Sequence, residues 1–260
     1  MKKIQGTREW AVAEINCSVG CPNGCRYCYA RFDSVVRKGS VSAEQWQSCR
    51  PGLEKPLIEQ KYPGQVMFPA AHDIVPDNLD DCLATLSGLL RSGNKVLVVS
   101  KPNRQSVRRI CSVLQDYRDL LHFRFTITAR DAGILALWEP AAPSYDERFA
   151  CLRYAYAQGF VTSVSIEPVL DMEDVEAMIA ELTPYTCHSI WLGKMNKIEQ
   201  RVEADSAELR DDIQRIQLQQ NNENITALYE RLKNNSLIRW KESIKDVVGL
   251  PRAVEPGRDE

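Results

Sequence analysis

Four cysteines lie within twelve residues near the start of the chain, at Cys17, Cys21, Cys25 and Cys28. The last three have the spacing CxxxCxxC, and the glycines and proline between them give the backbone the turns of a loop that wraps a metal cluster. Three thiolates bind three irons of a [4Fe–4S] cluster and leave the fourth iron open, whereas ordinary electron-transfer clusters use four cysteines. An open iron is a place where a cofactor can coordinate. The loop therefore predicts a catalytic cluster with Cys21, Cys25 and Cys28 as its ligands.

A structural zinc site is the alternative. Cys17 precedes Cys21 by four residues, so the four cysteines together could form an all-thiolate zinc site. Their spacing is unlike a zinc ribbon, in which two CxxC pairs are separated by a long stretch. The sequence favours the three-cysteine cluster and leaves Cys17 spare, either as a packed thiol or as a thiol that donates hydrogen to a product radical. The nine cysteines are an odd number without an export signal, which argues against a disulfide scaffold.

Six short strand-like runs that alternate with helical segments position these residues. The strands are predicted at Val12–Asn16, Gln65–Pro69, Lys95–Ser100, His122–Thr128, Val161–Glu167 and Ser189–Lys194. Such alternation predicts an α/β fold of parallel βαβ units with right-handed crossovers. Six units fit a (β/α)6 partial TIM barrel or an open doubly wound sheet. In both, the chemistry lies at the carboxyl ends of the strands.

The sequence becomes more polar after about residue 200. Residues 1–200 are predicted to form the partial barrel, and residues 201–250 a C-terminal helical extension. Within the extension, Gln219–Asn224 is expected to break or weaken a helix, and Leu237–Val248 to form a final amphipathic helix. Residues 251–260 are predicted to be a disordered tail.

Composition excludes some classes of protein. The 260 residues carry 33 Lys and Arg against 35 Asp and Glu, a net charge of −2, so a uniformly basic nucleic-acid binder is excluded. No apolar run approaches the roughly 20 residues of a membrane span. The two lysines at the N-terminus are not followed by an apolar stretch, so a secretory signal is not expected. The sequence predicts a cytoplasmic protein without a membrane partner.

The cysteine loop, the aromatic Tyr27 before its last cysteine and the six β/α units resemble the radical S-adenosylmethionine (SAM) superfamily. More narrowly, the segments NCSVGCPNGCRYCYA, SKPNR and FTIT…EPAAPSYDER are similar to the spore photoproduct lyase-like branch, over about residues 10–200. The resemblance implies that the open iron binds the amino and carboxylate groups of SAM. Reduction then cleaves SAM to methionine and a 5′-deoxyadenosyl radical that abstracts a substrate hydrogen. It also implies an external electron donor of the flavodoxin or ferredoxin type.

Residues at strand ends supply the predicted contacts to SAM. Ser100 and Lys101 end the third predicted strand, where a hydroxyl and a cation can meet a carboxylate, and the resemblance implies this use. Thr128 is expected to contact the ribose or methionine part, and Tyr27 to pack over the cluster or near the adenine. Glu167 should point into the mouth and bind a ribose hydroxyl, an ammonium group or substrate. The alternatives are a solvated loop lysine at position 101 and an ordinary strand threonine at position 128.

Further polar residues at the mouth extend this prediction. Lys194, at the end of the sixth predicted strand, is expected to face substrate, and with Cys17 it is the predicted catalytic pair. His72–Asp73 offers a polar pair after the second predicted strand. Glu139 and Arg148 match positions of the resembled branch, and the sequence favours an ion pair that braces their loop.

Three classes of function follow. The likeness to the lyase branch favours a lyase or modifying enzyme that acts on a nucleic-acid base or nucleotide. A radical SAM enzyme that modifies a small molecule or peptide fits the near-neutral charge and the compact size. The third class is a non-catalytic, metal-bearing interaction module.

Overall fold

The computed structural model describes residues 4–52 and 56–258. Its centre is a seven-stranded parallel sheet in the order β1-β4-β5-β6-β7-β8-β9, beside a two-stranded antiparallel sheet of β2 and β3. The strands are β1 (Ala13–Glu14), β2 (Ser18–Val19), β3 (Arg50–Pro51), β4 (Val66–Phe68), β5 (Val96–Ser100), β6 (Leu121–Thr126), β7 (Val161–Ile166), β8 (Ile190–Leu192) and β9 (Ile238–Trp240).

Helices connect these strands and cover one face of the sheet. In chain order they are α1 (Tyr29–Arg31), α2 (Ala43–Trp46), α3 (Leu79–Arg91), α4 (Arg104–Val113), α5 (Ala132–Trp138), α6 (Tyr145–Ala157), α7 (Val175–Leu182), α8 (Ile198–Arg201), α9 (Ala207–Gln219), α10 (Asn222–Leu232) and α11 (Glu242–Val248). A six-residue π-helical segment follows α1. Within the described residues, no helix has the length and apolar character that a bilayer span needs.

All six predicted strands are present, as β1 and β4 to β8, with ends that differ by up to two residues. The predicted break near Gln219–Asn224 separates α9 from α10. The predicted helix over Leu237–Val248 is wrong in its first half, because β9 occupies that part. Ile238 and Trp240 are buried while the intervening Arg239 is half-buried, which is the two-residue period of a strand. The predicted tail at 251–260 ends outside the described residues.

The two faces of the central sheet differ in chemistry. One face packs apolar side chains such as Phe68, Val98 and Phe123 against the helices, and it forms the main core. The opposite face combines apolar residues with buried polar ones, among them Arg124 and Ser165. Because side chains alternate along a strand, these residues share the inner side of the curved sheet, with Lys101 following β5. The sequence thus builds a partial barrel whose interior is polar towards one end.

The two edges of the sheet, β1 and β9, are bridged by a buried contact between Lys241 and Glu9. The Lys241 ammonium contacts the Glu9 carboxyl group, donates to the Gly6 carbonyl at 2.9 Å and lies 4.1 Å from the centre of the Trp10 ring. Glu242 also packs here, and its backbone N–H donates to Glu9 at 3.1 Å. These contacts hold the N-terminal segment beside the end of β9. They close the space between the edge strands without strand pairing.

The buried Glu9 carboxyl group gives the stability of the protein a specific pH dependence. Burial raises the pKa of Glu9 from 4.5 to about 9, so the folded chain keeps a proton that the unfolded chain releases. The contribution of Glu9 to stability is therefore complete below pH 4.5 and declines as the pH rises towards 9. The glutamine of Glu9→Gln does not titrate. We therefore expect the free energy of unfolding of this variant, minus that of wild type, to increase by about 1 kcal/mol or more between pH 5 and pH 9. Urea unfolding at both pH values measures this difference. An equal change in the free energy of unfolding from pH 5 to pH 9 in the two proteins would contradict it.

Candidate cluster and cofactor site

A cavity of about 850 Å³ opens at the carboxyl ends of the parallel strands. The three cysteines of the CxxxCxxC loop line it, together with side chains that follow or end β5 to β9. The lining residues used below are Cys21, Cys25, Tyr27, Cys28, Asp73, Ser100, Lys101, Thr126, Ser165, Glu167, Lys194, Lys197, Arg201 and Lys241.

The cysteine loop is fastened on both sides. Cys21 N–H donates to the Trp46 carbonyl at 2.8 Å, and Arg26 N–H donates to the Trp138 carbonyl at 3.0 Å. Gly20 has φ +94°, and a Cβ there would lie 2.2 Å from the Ser48 carbonyl oxygen. Only glycine permits this approach, so the loop and α2 fold together around it.

Asp73 joins the cysteine loop to the end of β5. Its carboxylate accepts from Asn23 Nδ2 at 2.7 Å, from the Ser100 hydroxyl at 2.9 Å and from Lys101 N–H at 2.8 Å. Burial alone would raise the pKa of Asp73, but the Lys101 charge and these donors outweigh burial and lower it. The sequence indicated only a polar pair here. The structure makes Asp73 the link between the predicted cluster loop and the predicted SAM contacts.

Replacing Asp73 tests that link. Asp73→Ala removes the carboxylate that accepts from three donors. We therefore expect the free energy of unfolding to fall by about 1–3 kcal/mol. SAM affinity should fall as well, because Ser100 and Lys101 lose the contact that fixes the end of β5. Denaturant unfolding and equilibrium dialysis measure the two effects, with the exposed Asp77→Ala as control. Wild-type stability and affinity in Asp73→Ala would contradict the linking role.

Glu139 is the centre of a second buried network. It forms the predicted ion pair with Arg148, and both side chains are 0% exposed. The Tyr27 hydroxyl donates to Glu139, and the Thr128 hydroxyl donates at 2.8 Å. Lys101 Nζ lies 3.8 Å from the same carboxylate and 5.4 Å from the centre of the Tyr27 ring. The prediction of a loop-bracing ion pair is confirmed, and the alternative of a solvated Lys101 is wrong.

Five of the predicted cofactor and substrate residues line the cavity, and two do not. Those that line it are Tyr27, Ser100, Lys101, Glu167 and Lys194. Thr128 is fully buried behind the wall, where its hydroxyl donates to Glu139. Thr126 lines the cavity instead. β6 ends at Thr126, and Thr128 lies two residues beyond it, where its carbonyl accepts from Leu170 N–H at 3.1 Å.

Cys17 lies behind the cysteine loop rather than in the cavity lining. Its Sγ is 3.6 Å from Cys82 Sγ and 3.9 Å from His72 Nε2. The hydrogen bond from the Cys82 thiol lowers the pKa of Cys17 to about 5, although burial opposes this shift. The placement favours the packed thiol over the donor of hydrogen to a product radical, because Cys17 is not among the residues that line the cavity.

One wall of the cavity combines the predicted Glu167 with cations that the sequence did not indicate. Glu167 lies 3.8 Å from Lys241 Nζ, and burial raises the pKa of Glu167. A Cβ on Gly193 would lie 2.8 Å from Glu167 Cγ and 3.0 Å from Lys241 Cγ, so glycine is needed for their approach. Arg201 also lines this wall. Single lysines and arginines in a polar C-terminal segment form no sequence pattern, so their place in the cavity could not be predicted.

The donor set fits a cluster held by three thiolates. Cys21 and Cys25 are buried, and burial raises the pKa of Cys25 to about 12. Within the described residues, no three His, Cys, Asp or Glu side chains meet closely enough to share one metal ion. Thiolates on one zinc lie within about 4.6 Å of each other, twice the Zn–S bond, whereas a cuboidal cluster holds its thiolates on separate irons. Cys17 faces Cys82, so the four-cysteine zinc alternative does not fit.

Comparisons with known proteins agree with this architecture. Spore photoproduct lyase complexed with dinucleoside spore photoproduct has a TM-score of 0.53 and 17% identity, over 84% of this chain and 76% of that chain. Streptococcus suis SuiB bound to S-adenosylmethionine has a TM-score of 0.56 and 9% identity, over 92% of this chain and 52% of SuiB. An uncharacterised protein of Methanocaldococcus jannaschii is 24% identical over 177 residues, 66% of either chain. No protein-family model matches the chain.

These similarities establish the fold. The chain has the α/β partial-barrel fold of spore photoproduct lyase and SuiB, and the predicted resemblance to the radical SAM superfamily and its lyase-like branch is confirmed at the level of fold. The sheet adds a seventh strand to the six predicted and has no pairing between its edge strands. The match spans about half the length of SuiB and just under two thirds of the Methanocaldococcus relative.

Proposed function

We propose that the protein is a radical SAM enzyme that carries a [4Fe–4S] cluster on Cys21, Cys25 and Cys28. The observation that carries this proposal is the shared cavity, in which these three cysteines lie with the buried Lys101 at the carboxyl ends of parallel strands. When bound, the cluster supplies the electron that cleaves SAM and so starts abstraction of hydrogen from a substrate. The electron comes from an external flavodoxin- or ferredoxin-type donor.

The residues of the chain then bind and orient SAM. Lys101 provides the cation for the SAM carboxylate, and the Glu139 network fixes its position. The Tyr27 ring packs beside Lys101 and shields the cysteine end of the cavity from water. Thr126 provides a hydroxyl for the ribose, and Glu167, on the opposite wall, accepts from a ribose hydroxyl or an ammonium group.

Lys101 gives this arrangement a direct test. Lys101→Met removes the only charge assigned to the SAM carboxylate, so we expect SAM to bind about 10- to 100-fold more weakly. Glu139 retains Arg148, so the fold should persist. Equilibrium dialysis with labelled SAM measures the change, and the exposed Lys95→Met, at the opposite end of the same strand, is the matched control. Equal SAM affinity in both variants would rule out this role of Lys101.

The proposed substrate is a nucleotide or a nucleic-acid base. Spore photoproduct lyase, which shares the fold, has been solved in complex with dinucleoside spore photoproduct. A peptide substrate is the second candidate, since SuiB has been solved with its precursor peptide SuiA. A steep salt dependence of oligonucleotide binding supports the first, and retention of a peptide with no such binding supports the second.

Reconstitution tests the proposed cofactors. The protein is loaded anaerobically with iron and sulfide and reduced with dithionite, and its EPR spectrum is recorded with and without SAM. We expect about four irons per chain and a reduced-cluster signal that SAM changes. A signal that does not respond to SAM would favour the non-catalytic, metal-bearing module. Bound zinc without a cluster would overturn the proposal.

A further inference from the structure

A group of cations without ion-pair partners among the described residues lines the cavity after β8. Lys194, Lys197 and Arg201 come from one short segment that follows β8 and ends with α8, and all three line the cavity. Within the described part of the chain, none of the three has a carboxylate oxygen within 4.0 Å. By contrast, Lys241 and Arg252, which line the same wall, are paired with Glu9 and Asp246.

Two of these cations are partly removed from water. Arg201 Nε is buried and has no hydrogen-bond partner within the described residues. Burial lowers the pKa of Arg201, and it lowers that of Lys194 as well. A desolvated cation without a partner is energetically unfavourable. Two such cations on one cavity wall therefore indicate a site that an anionic ligand completes.

The backbone of the segment is held firmly. Lys194 N–H donates to the Ser243 hydroxyl at 3.0 Å, and Met195 N–H donates to Gln220 Oε1 at 2.7 Å. Lys197 has φ +54°, and among the described residues it is the only non-glycine with a positive φ. Such a conformation persists where the surrounding structure enforces it, and it is concentrated at ligand sites. The cations are therefore positioned by α9, α11 and the turn itself.

Among the described residues, the neighbouring carboxylates form no ion pair with these cations, although Glu167 and Glu242 attract Arg201 from further away. Glu167 lies on the same wall, but its closest cation is Lys241, at 3.8 Å. Burial raises the pKa of Glu167, which weakens its hold on a negative charge. Lys194, Lys197 and Arg201 thus carry positive charge into the cavity of about 850 Å³, and no carboxylate of the described residues is in direct contact with them.

We propose that Lys194, Lys197 and Arg201 form a binding site for a phosphoryl group of the substrate. More than one cation converges on the cavity, which fits a multiply charged phosphate better than a single carboxylate, and arginine matches phosphate with paired N–H donors. The phosphoryl group can belong to a free nucleotide or to a nucleic-acid strand. The proposal deepens the proposed function, since it assigns the substrate end of the same cavity.

Inorganic pyrophosphate tests this site without SAM or a cluster. Calorimetric titration of the purified, cluster-free chain compares wild type with Arg201→Gln and Lys194→Met. We expect each variant to bind pyrophosphate at least tenfold more weakly. The control is Arg109→Gln, which removes an exposed cation from α4, outside the cavity, and should bind as wild type does. Because the assay needs no SAM cleavage, its outcome is independent of the proposed radical chemistry.

The outcomes separate the possibilities. Weakened binding in both cavity variants, with normal binding in Arg109→Gln, supports the site. A mononucleotide and a short oligonucleotide then identify the source of the phosphoryl group, as the oligonucleotide alone shows a steep salt dependence. Absent pyrophosphate binding at low salt, or equal binding in all variants, overturns the proposal. So does a loss that occurs only in Lys101→Met, because it would place the anion at the cysteine end.

Discussion

Cys25→Ala is expected to abolish SAM cleavage, with a loss of at least about 1,000-fold after reconstitution. Cys25 is buried in the middle of the loop, between two other cavity-lining thiols, so its loss leaves the predicted cluster with two of its three thiolate ligands. The variant should also contain less iron and sulfide than wild type. Iron analysis and the yield of 5′-deoxyadenosine measure the two losses in the same preparation.

Two other cysteines provide controls for that result. Cys187→Ala removes an exposed thiol, and Cys111→Ala removes a buried one on the sheet-facing side of α4. Neither lines the cavity, so both variants should bind a cluster and cleave SAM as wild type does. Retained cleavage in Cys25→Ala would refute the ligand assignment, whatever the controls show.

The second large effect concerns stability. Arg148→Met should lower the free energy of unfolding by about 3–5 kcal/mol, because it leaves the buried Glu139 carboxylate without its principal partner. Both side chains are 0% exposed, and Lys101, at 3.8 Å, is a weaker substitute. Urea unfolding of the cluster-free protein measures the loss. Arg153→Met, on the exposed side of the same helix, should change stability by less than about 1 kcal/mol.

A double variant identifies the cause of that loss. If the cost arises from an unpaired carboxylate, then Glu139→Gln together with Arg148→Met should recover part of the stability, because no buried charge remains. If the double variant is as unstable as the sum of the two single variants, the ion-pair account of this network is wrong and the cost lies in packing.

Local patterns in the sequence predict most of the fold. Four of the six predicted strands carry Val- and Ile-rich or nearly continuous apolar stretches, as expected of strands covered on both faces, and all six contribute to the central sheet. The cysteine spacing is a local pattern as well, so the loop and its three cavity-lining thiols could be located from the sequence. The ion pair of Glu139 and Arg148 followed from the resemblance to the lyase-like branch.

The remaining features depend on contacts between distant segments. The short strand β9 reads as part of an amphipathic helix, because Leu237, Trp240 and Ile244 also fit a helical period. Only its pairing with β8 makes it a strand. Thr126 and Thr128 are the same residue type and are predicted on one strand face. The sequence therefore does not show which of the two lines the cavity. The bridge from Glu9 to Lys241 joins residues more than 200 positions apart, and no local pattern indicates such a pair.

The most direct test of the proposed activity is the formation of 5′-deoxyadenosine by the reconstituted protein. The protein is incubated anaerobically with SAM and dithionite, and the nucleoside is quantified by chromatography. The account predicts that 5′-deoxyadenosine accumulates with wild type and requires dithionite, and that Cys25→Ala produces none. A protein that holds its cluster and binds SAM, yet forms no 5′-deoxyadenosine under these conditions, would contradict the account.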